Sequence, residues 1–342
     1  MLKKLLHSAL IGLATAAIIL YILPQINHTL FDDGVISYRT AVQKASPAVV
    51  NVYNQSFTTA NSNYQTKVNN LGSGVIMSED GYILTNKHVI QDADQIVVAL
   101  QNGHIYEADL VGSDSLTDLA VLKIKANNLS TIPQKKNRYS HVGDVVLAIG
   151  NPYNLGQSVS QGIISALGRN AVGDYIGRQN FIQTDASINK GNSGGALINS
   201  KGELIGISTL SIGKDSTEIA EGLSFAIPIE LANDIMRKII QDGRVIRGYL
   251  GVQSDVLFNN GQGISNKGIL ISNVQAGSPA DNAGIEAGDI IIEFNNTKAT
   301  SPVQMMKAIL NTKPGTTIEV VILRMGKTIK LPVTIQEYII QS

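Results

Sequence analysis

The chain has 342 residues, enough for about two domains of ordinary size. Lysine plus arginine, at 27, equals aspartate plus glutamate, at 27, so no overall field selects an acidic partner, and nucleic acid is not expected as one. Cysteine is absent, which excludes disulfides, a thiol nucleophile and thiolate metal sites while leaving the compartment open.

Lys3 and Lys4 precede a mostly apolar run from Leu5 to Leu23, about the length that spans a bilayer. Residues 1–26 therefore read as a cytoplasmic tip and a membrane anchor, with the lysines holding the N-terminus inside and the body across the membrane. A cleaved signal peptide is the alternative, with Ala14-Thr15-Ala16 as its cleavage site. The apolar residues from Ala17 to Leu23 run past that site, which favours retention. Residues 27–40 are polar and aperiodic, as a tether would be.

From residue 41 to 243 short runs rich in valine and isoleucine alternate with glycine, asparagine and aspartate, for instance Gly74-Val75-Ile76-Met77 and Val145-Val146-Leu147-Ala148-Ile149. This pattern predicts a mainly β barrel or sandwich. Residues 55–70 are polar, dominated by asparagine, threonine and glutamine, and read as an exposed loop. Ala232, Ile235, Met236, Ile239 and Ile240 then recur three and four apart before Gly243, predicting an amphipathic helix that packs on the β domain. Residues 244–342 bring short strands again and a helix from Pro302 to Leu310, a second unit long enough to fold alone.

The run Gly191-Asn192-Ser193-Gly194-Gly195 reads as an ordinary glycine turn or as a nucleophilic serine on a sharp bend, with the N–H groups of Gly191 and Ser193 converging on a developing oxyanion. A serine hydroxyl needs a base. Of five histidines, His7 falls in the apolar run, His28 in the tether, and His104 and His141 in turn segments, whereas His88 follows the strand-like Tyr82-Ile83-Leu84-Thr85-Asn86. Asp118 opens another strand-like run and would orient the imidazole and balance its charge. A core histidine and a turn aspartate are the plain alternatives for the two. The order His, Asp, Ser is that of one class of two-barrel proteases.

Thr85-Asn86-Lys87-His88-Val89, Thr117-Asp118-Leu119-Ala120-Val121 and Gly191-Asn192-Ser193-Gly194-Gly195 resemble the signature blocks of the HtrA (Deg) family of trypsin-fold serine proteases. Asn151-Pro152, Gln161-Gly162-Ile163-Ile164-Ser165 and Gln183-Thr184-Asp185-Ala186 extend the likeness, which covers about residues 40 to 340. The resemblance implies a trypsin-like double β-barrel, ATP-independent proteolysis and a homotrimer. Where trypsin-like zymogens carry an aspartate that pairs with a new N-terminus, this chain has Asn192, which cannot form that ion pair. Control by rearrangement of the oxyanion loop is therefore expected, since losing one donor there costs about 2.7–4 kcal/mol of transition-state stabilisation. Arg169, in a glycine-flanked segment, is a candidate sensor or simply a solvated loop arginine. Ile207 and Leu210 match the family position lining the pocket for the residue before the cut bond, which implies cleavage after valine or another small aliphatic; ordinary strand core is the alternative.

Gly248-Tyr249-Leu250-Gly251-Val252 has the spacing of a carboxylate-binding loop, and could equally be a strand opening with two glycines. Ser278-Pro279-Ala280, Ala283-Gly284-Ile285 and Ala287-Gly288-Asp289-Ile290-Ile291 after it are similar to the PDZ pattern in HtrA proteases. Tyr249 to Val252 would then grip a C-terminal peptide. With one such domain, a short polar segment at 55–70 and an anchor, the chain most resembles the membrane-bound, stress-sensing branch of the family. That likeness implies a periplasmic body on the inner membrane, a membrane-spanning anti-sigma factor as substrate, and C-termini of misassembled outer-membrane proteins as input. A broad quality-control protease with chaperone activity and a non-catalytic peptide scaffold are the alternatives; the intact triad weighs against the second. No metal or nucleotide motif is present, so no cofactor is expected.

Overall fold

The computed structural model describes residues 7–8, 12–13, 15–17, 37–60, 63–134, 140–169, 181–209, 222–254 and 268–339. The apolar run expected as an anchor lies mostly outside the described residues. Among those described, no helix is long and apolar enough to cross a membrane.

After a short helix, Arg39–Ala45 (α1), six strands close into an antiparallel barrel: Val49–Ala60 (β1), Asn63–Ile76 (β2), Tyr82–Asn86 (β3), Gln95–Ala99 (β4), Ile105–Asp114 (β5) and Leu119–Ile124 (β6), in the order β1-β2-β3-β6-β5-β4. A single helical turn, Lys87–Ile90 (α2), follows β3. In β4, Ile96 and Val98 point into the core while Gln95, Val97 and Ala99 stay half-buried, the two-residue period of a strand with one wet face.

A second barrel holds Val145–Gly150 (β7), Ser158–Arg169 (β8), Phe181–Thr184 (β9), Ala196–Asn199 (β10), Leu204–Thr209 (β11) and Ser224–Pro228 (β12). Strand β7 does not alternate, because both its faces are covered. Val146 and Ala148 join Ile164, Ile182 and Leu197 inside this barrel, whereas Leu147 and Ile149 join a core shared with the first barrel. The uninterrupted apolar run in the sequence is the mark of that double burial. Helix Ile229–Asp242 (α3) adds Ile229, Ala232, Ile235 and Ile239 to the shared core, and the amide of Gly243 closes it on Ile239 O at 2.8 Å. The three-and-four spacing thus marks a packing face at Ala232, Ile235 and Ile239, with Met236 partly buried against it, whereas Ile240, expected on the same face, is exposed.

The polar segment at 55–70 departs from the sequence reading. It is not a loop but a paired ribbon, with Gln55 opposite Val68 and Ala60 opposite Asn63, entered through a bulge at Asn54/Gln55. Phe57 and Val68, which the register places on one face, are half exposed, so that face is not a core face and no hydrophobic alternation announces the strands. Backbone pairing and the strand preference of the Thr, Tyr and Phe residues there hold it instead.

The remaining elements form a unit with its own core. Gly248–Tyr249 (β13) pairs with Gln336–Glu337 (β21), and Val252–Gln253 (β14) with Asn273–Val274 (β16). Ile269–Leu270 (β15), Ile290–Phe294 (β17), Thr297–Lys298 (β18), Thr317–Arg324 (β19) and Lys327–Thr334 (β20) make a five-stranded sheet. Helix Pro279–Asn282 (α4) is short, and Pro302–Asn311 (α5) ends one residue beyond the predicted helix. Leu250, Phe294, Met305, Ile309 and Ile322 are buried together.

Ile239 is fully buried where α3 meets both barrels. The substitution Ile239→Ala is expected to destabilise the protease region by about 2–5 kcal/mol, read as a lower denaturant midpoint of that transition with the second unit's transition unmoved.

Candidate active site

Strands β3 and β6 run antiparallel with Asn86 opposite Leu119, so the end of one lies beside the start of the other. That register brings His88 to Asp118. The Lys87 amide and the Asn86 side-chain amide donate to Asp118 O at 2.9 and 3.0 Å, and the His88 amide donates to Asp118 Oδ1 at 3.0 Å. Held in this way, Asp118 adopts φ 54, a left-handed conformation that aspartate tolerates better than most residues. Its Oδ2 lies 2.6 Å from His88 Nδ1. A carboxylate only accepts, so Nδ1 is the donor and Nε2 keeps its lone pair for a proton. Thr209 Oγ1 adds a longer bond to the same oxygen at 3.4 Å.

Ser193 comes from the other barrel on a tight turn. Gly191 and Gly194 have φ of 103 and 82, and a Cβ on Gly194 would lie 2.1 Å from Ser73 O, so no larger residue fits there. The turn is fixed by Asn192 N to Asn189 O and Gly195 N to Asn192 O, both 2.9 Å, and by Gly194 N to Ser208 O at 2.8 Å. Ser193 is 3% exposed. Among the described residues its Oγ makes no hydrogen bond, to His88 or elsewhere, and the N–H groups of Gly191 and Ser193 donate to nothing. Asn192 is buried; its Nδ2 reaches Ser187 O only at 3.5 Å, and its Oδ1 has no partner among the described residues. His88, Asp118, Ser193, Gly191 and Asn192 are thus gathered at the seam between the barrels.

Other predicted site residues are placed differently. Ile207 is fully buried in the shared core. Arg169 ends β8 opposite Phe181; its side chain, and all of Leu210, lie outside the described residues.

In the second unit, Leu250 and Gly251 use their carbonyls, which accept from Ala280 N and Gln275 N at 2.9 Å each, while their N–H groups donate to nothing among the described residues. Val252 begins β14, opposite Val274. Two adjacent free amides at the head of a short strand are what a terminal carboxylate requires. Tyr249 braces the loop through its hydroxyl to Gln275 Oε1 at 2.5 Å and its ring on Tyr338 at 5.7 Å. Burial, and then Tyr338, push its phenol above the ordinary value, so it stays a neutral donor.

Among the described residues, an ion pair joins the two units. Arg247, just before β13, makes a two-pronged contact with Asp114 at 2.6 and 2.7 Å. Asp114 is 5% exposed and also accepts from the Thr117 amide at 3.0 Å and from Thr117 Oγ1 at 2.5 Å. Thr117 immediately precedes Asp118. Burial pushes the Asp114 carboxyl up, but the Arg247 guanidinium and the Thr117 bonds outweigh it and hold the group below the usual carboxylate range.

A trypsin-like peptidase domain model matches residues 72–207 and a PDZ domain model matches residues 248–335. Serine endoprotease DegS of Haemophilus influenzae is 67% identical over 342 residues, which cover 99% of each chain. The chain belongs to the HtrA family of serine proteases. A serine endoprotease structure from Yersinia pestis, at 55% identity, covers 90% of this chain and 100% of its own with a TM-score of 0.75. The HtrA-type protease AlgW, solved with a decapeptide, gives a TM-score of 0.79 at 40% identity over 90% of this chain and 100% of that one. Family membership makes this chain a serine endopeptidase with a trypsin-like domain and a PDZ domain.

The sequence reading missed Ser73, Thr209 and the Arg247–Asp114 pair as parts of the site. A glycine on each side of Ser73 was the available signal for close backbone approach; Arg247 and Asp114 stand 133 positions apart, and nothing local connects them.

Because the Asp114 carboxyl is held low, its contribution to stability is complete above its unfolded-state value, about 3.9. It is lost as pH falls through the lower folded-state value. The native protein is expected to lose stability across that acid window, and Asp114→Asn to flatten the same part of an acid denaturation profile.

Proposed function

We propose that this endopeptidase is a membrane-anchored periplasmic stress sensor, held nearly silent until the C-terminus of a misassembled outer-membrane protein occupies its PDZ loop, and that it then makes the first cut in a membrane anti-sigma factor. The observation that carries this reading is a half-assembled triad: His88 and Asp118 are bonded at 2.6 Å, while among the described residues the Ser193 hydroxyl engages nothing. The N–H groups of Leu250 and Gly251, which donate to nothing among the described residues, a relative solved with a decapeptide and a full-length likeness to DegS support a peptide as the missing input. A homotrimer with this anchor is the assembly we assign.

In the reaction His88 Nε2 takes the Ser193 proton as Oγ attacks the scissile carbonyl. Asp118 keeps the imidazole in the accepting tautomer and stabilises the imidazolium that forms. The carbonyl π electrons move onto oxygen, where the N–H groups of Gly191 and Ser193 receive the negative charge. Collapse expels the amine, protonated by His88, and leaves an acyl-enzyme. Water then repeats the sequence with His88 as base, and Ser193 regains its proton. Occupation of the Tyr249–Val252 loop brings Ser193 and the oxyanion amides into register with His88, with Arg169 as the contact that reports occupancy and Asn192 as the residue that moves. Leu210 is the residue we assign to select the residue before the cut, while Ile207, fully buried in the shared core, serves packing.

The test is cleavage of an unfolded protein and of a membrane anti-sigma factor by the full chain in detergent, with and without peptides ending in outer-membrane-type C-termini. Near silence without peptide and cleavage with it is the expected result, and Ser193→Ala should abolish it. Robust degradation of many substrates without peptide would instead identify a quality-control enzyme. Mapped cuts are expected after valine or other small aliphatic residues; efficient cleavage after lysine or arginine contradicts the pocket assignment.

A further inference from the structure

Ser73 is fully buried at the seam between the barrels, and each of its polar groups is engaged. Its amide donates to Ser193 O at 2.8 Å. Its hydroxyl donates to Gly191 O at 2.7 Å and accepts from the Asn151 amide at 3.0 Å. Its carbonyl accepts from Thr85 Oγ1 at 2.7 Å. Ser73 therefore grips the peptide units that immediately follow both oxyanion residues, Gly191 and Ser193.

The third relevant peptide unit is reached indirectly. Lys190 O accepts from the Tyr153 amide at 3.0 Å. A trans peptide sets its C=O and N–H on opposite sides, so this bond turns the Gly191 N–H away from Tyr153. Asn151, two residues before Tyr153, is the residue whose amide ends on the Ser73 hydroxyl. One hydroxyl thus touches both supports of the Gly191 donor, the peptide after it and the turn that orients the peptide before it.

We propose that Ser73 is a positioning residue for the oxyanion hole: its hydroxyl, through Gly191 O and the Asn151–Tyr153 turn, sets the direction of the Gly191 N–H in the transition state. The assignment rests on Ser193 being the nucleophile. Ser73 touches no reacting atom, so its removal acts on the step in which charge develops and leaves substrate and PDZ-peptide binding in place.

The experiment compares native enzyme, Ser73→Ala, Thr85→Val and Ser193→Ala as full chains in detergent with saturating activating peptide. Three quantities are read: kcat and KM for a peptide substrate, inhibition by a matching peptide boronic acid whose tetrahedral adduct fills the oxyanion hole, and anisotropy of a labelled PDZ peptide. Ser73→Ala is expected to lower kcat by about 10- to 100-fold, the scale of a misplaced or lost oxyanion donor. Boronic acid affinity should fall in parallel, with KM and PDZ-peptide affinity unchanged. Thr85→Val, which loosens Ser73 from the other side, should show the same pattern more weakly. A kcat within about twofold of native in a folded Ser73→Ala enzyme overturns the proposal, as does a loss confined to melting temperature or KM. Where Ser73→Ala does not fold, Thr85→Val decides on the same criteria. Activity retained in Ser193→Ala would sink the nucleophile assignment itself, an outcome separate from failure of the Ser73 variants.

Discussion

The β2–β3 ladder stops after Val75 pairs with Leu84, and what happens at the stopped end governs the rest of the molecule. Gly74 and Thr85 would form the next cross-strand pair, and Ser73 and Asn86 the one after it. Instead the strands part there, and the Ser193 turn of the opposite barrel enters: a Cβ on Gly194 would meet Ser73 O at 2.1 Å and Asn86 N at 3.1 Å. Backbone groups that an ordinary ladder would satisfy within one barrel are satisfied across two. The serine is thereby fastened to the strand end that carries the histidine. Neither barrel alone contains a site.

This arrangement separates what is rigid from what is adjustable. Asp118 and His88 are fixed by four bonds drawn from the β3–β6 register. The serine turn is fixed through the amides of Asn192, Gly194 and Gly195 and the carbonyls of Gly191 and Ser193, while the Ser193 hydroxyl and the amides of Gly191 and Ser193 engage nothing among the described residues. The switch proposed above would need only a small rotation of peptide units, with the strands staying still. The Arg247–Asp114 pair has a matching economy, because it ties the root of the PDZ domain to the residue just before Asp118 through bonds to Thr117.

The triad candidates were legible in the sequence because each sits at a strand end with a short recognisable neighbourhood, and elimination among five histidines left His88. Helices α3 and α5 were legible from apolar spacing and a glycine or proline boundary. The ribbon at 55–70 was not, since hydrophobic periodicity detects a strand only when one face is buried, and here Phe57 and Val68 both face out. Ser73 was hidden for a different reason: its role lies in backbone partners from residues 151, 191 and 193, and such long-range docking leaves no local pattern. Asp114 reads as an ordinary strand-end aspartate until Arg247 is found beside it.

The core that Leu147, Ile149, Ile198 and Ile207 share with Val50, Leu84 and Leu122 has a consequence for how this protein breaks and how it evolves. Pulling the barrels apart would expose that whole interior to water, so they are expected to melt as one cooperative block. A hinge opening between halves, common in two-lobed enzymes, is closed to this molecule. The proposed gating would have to act within its turns, and a fragment carrying a single barrel would be a sticky, unfinished surface rather than a smaller enzyme.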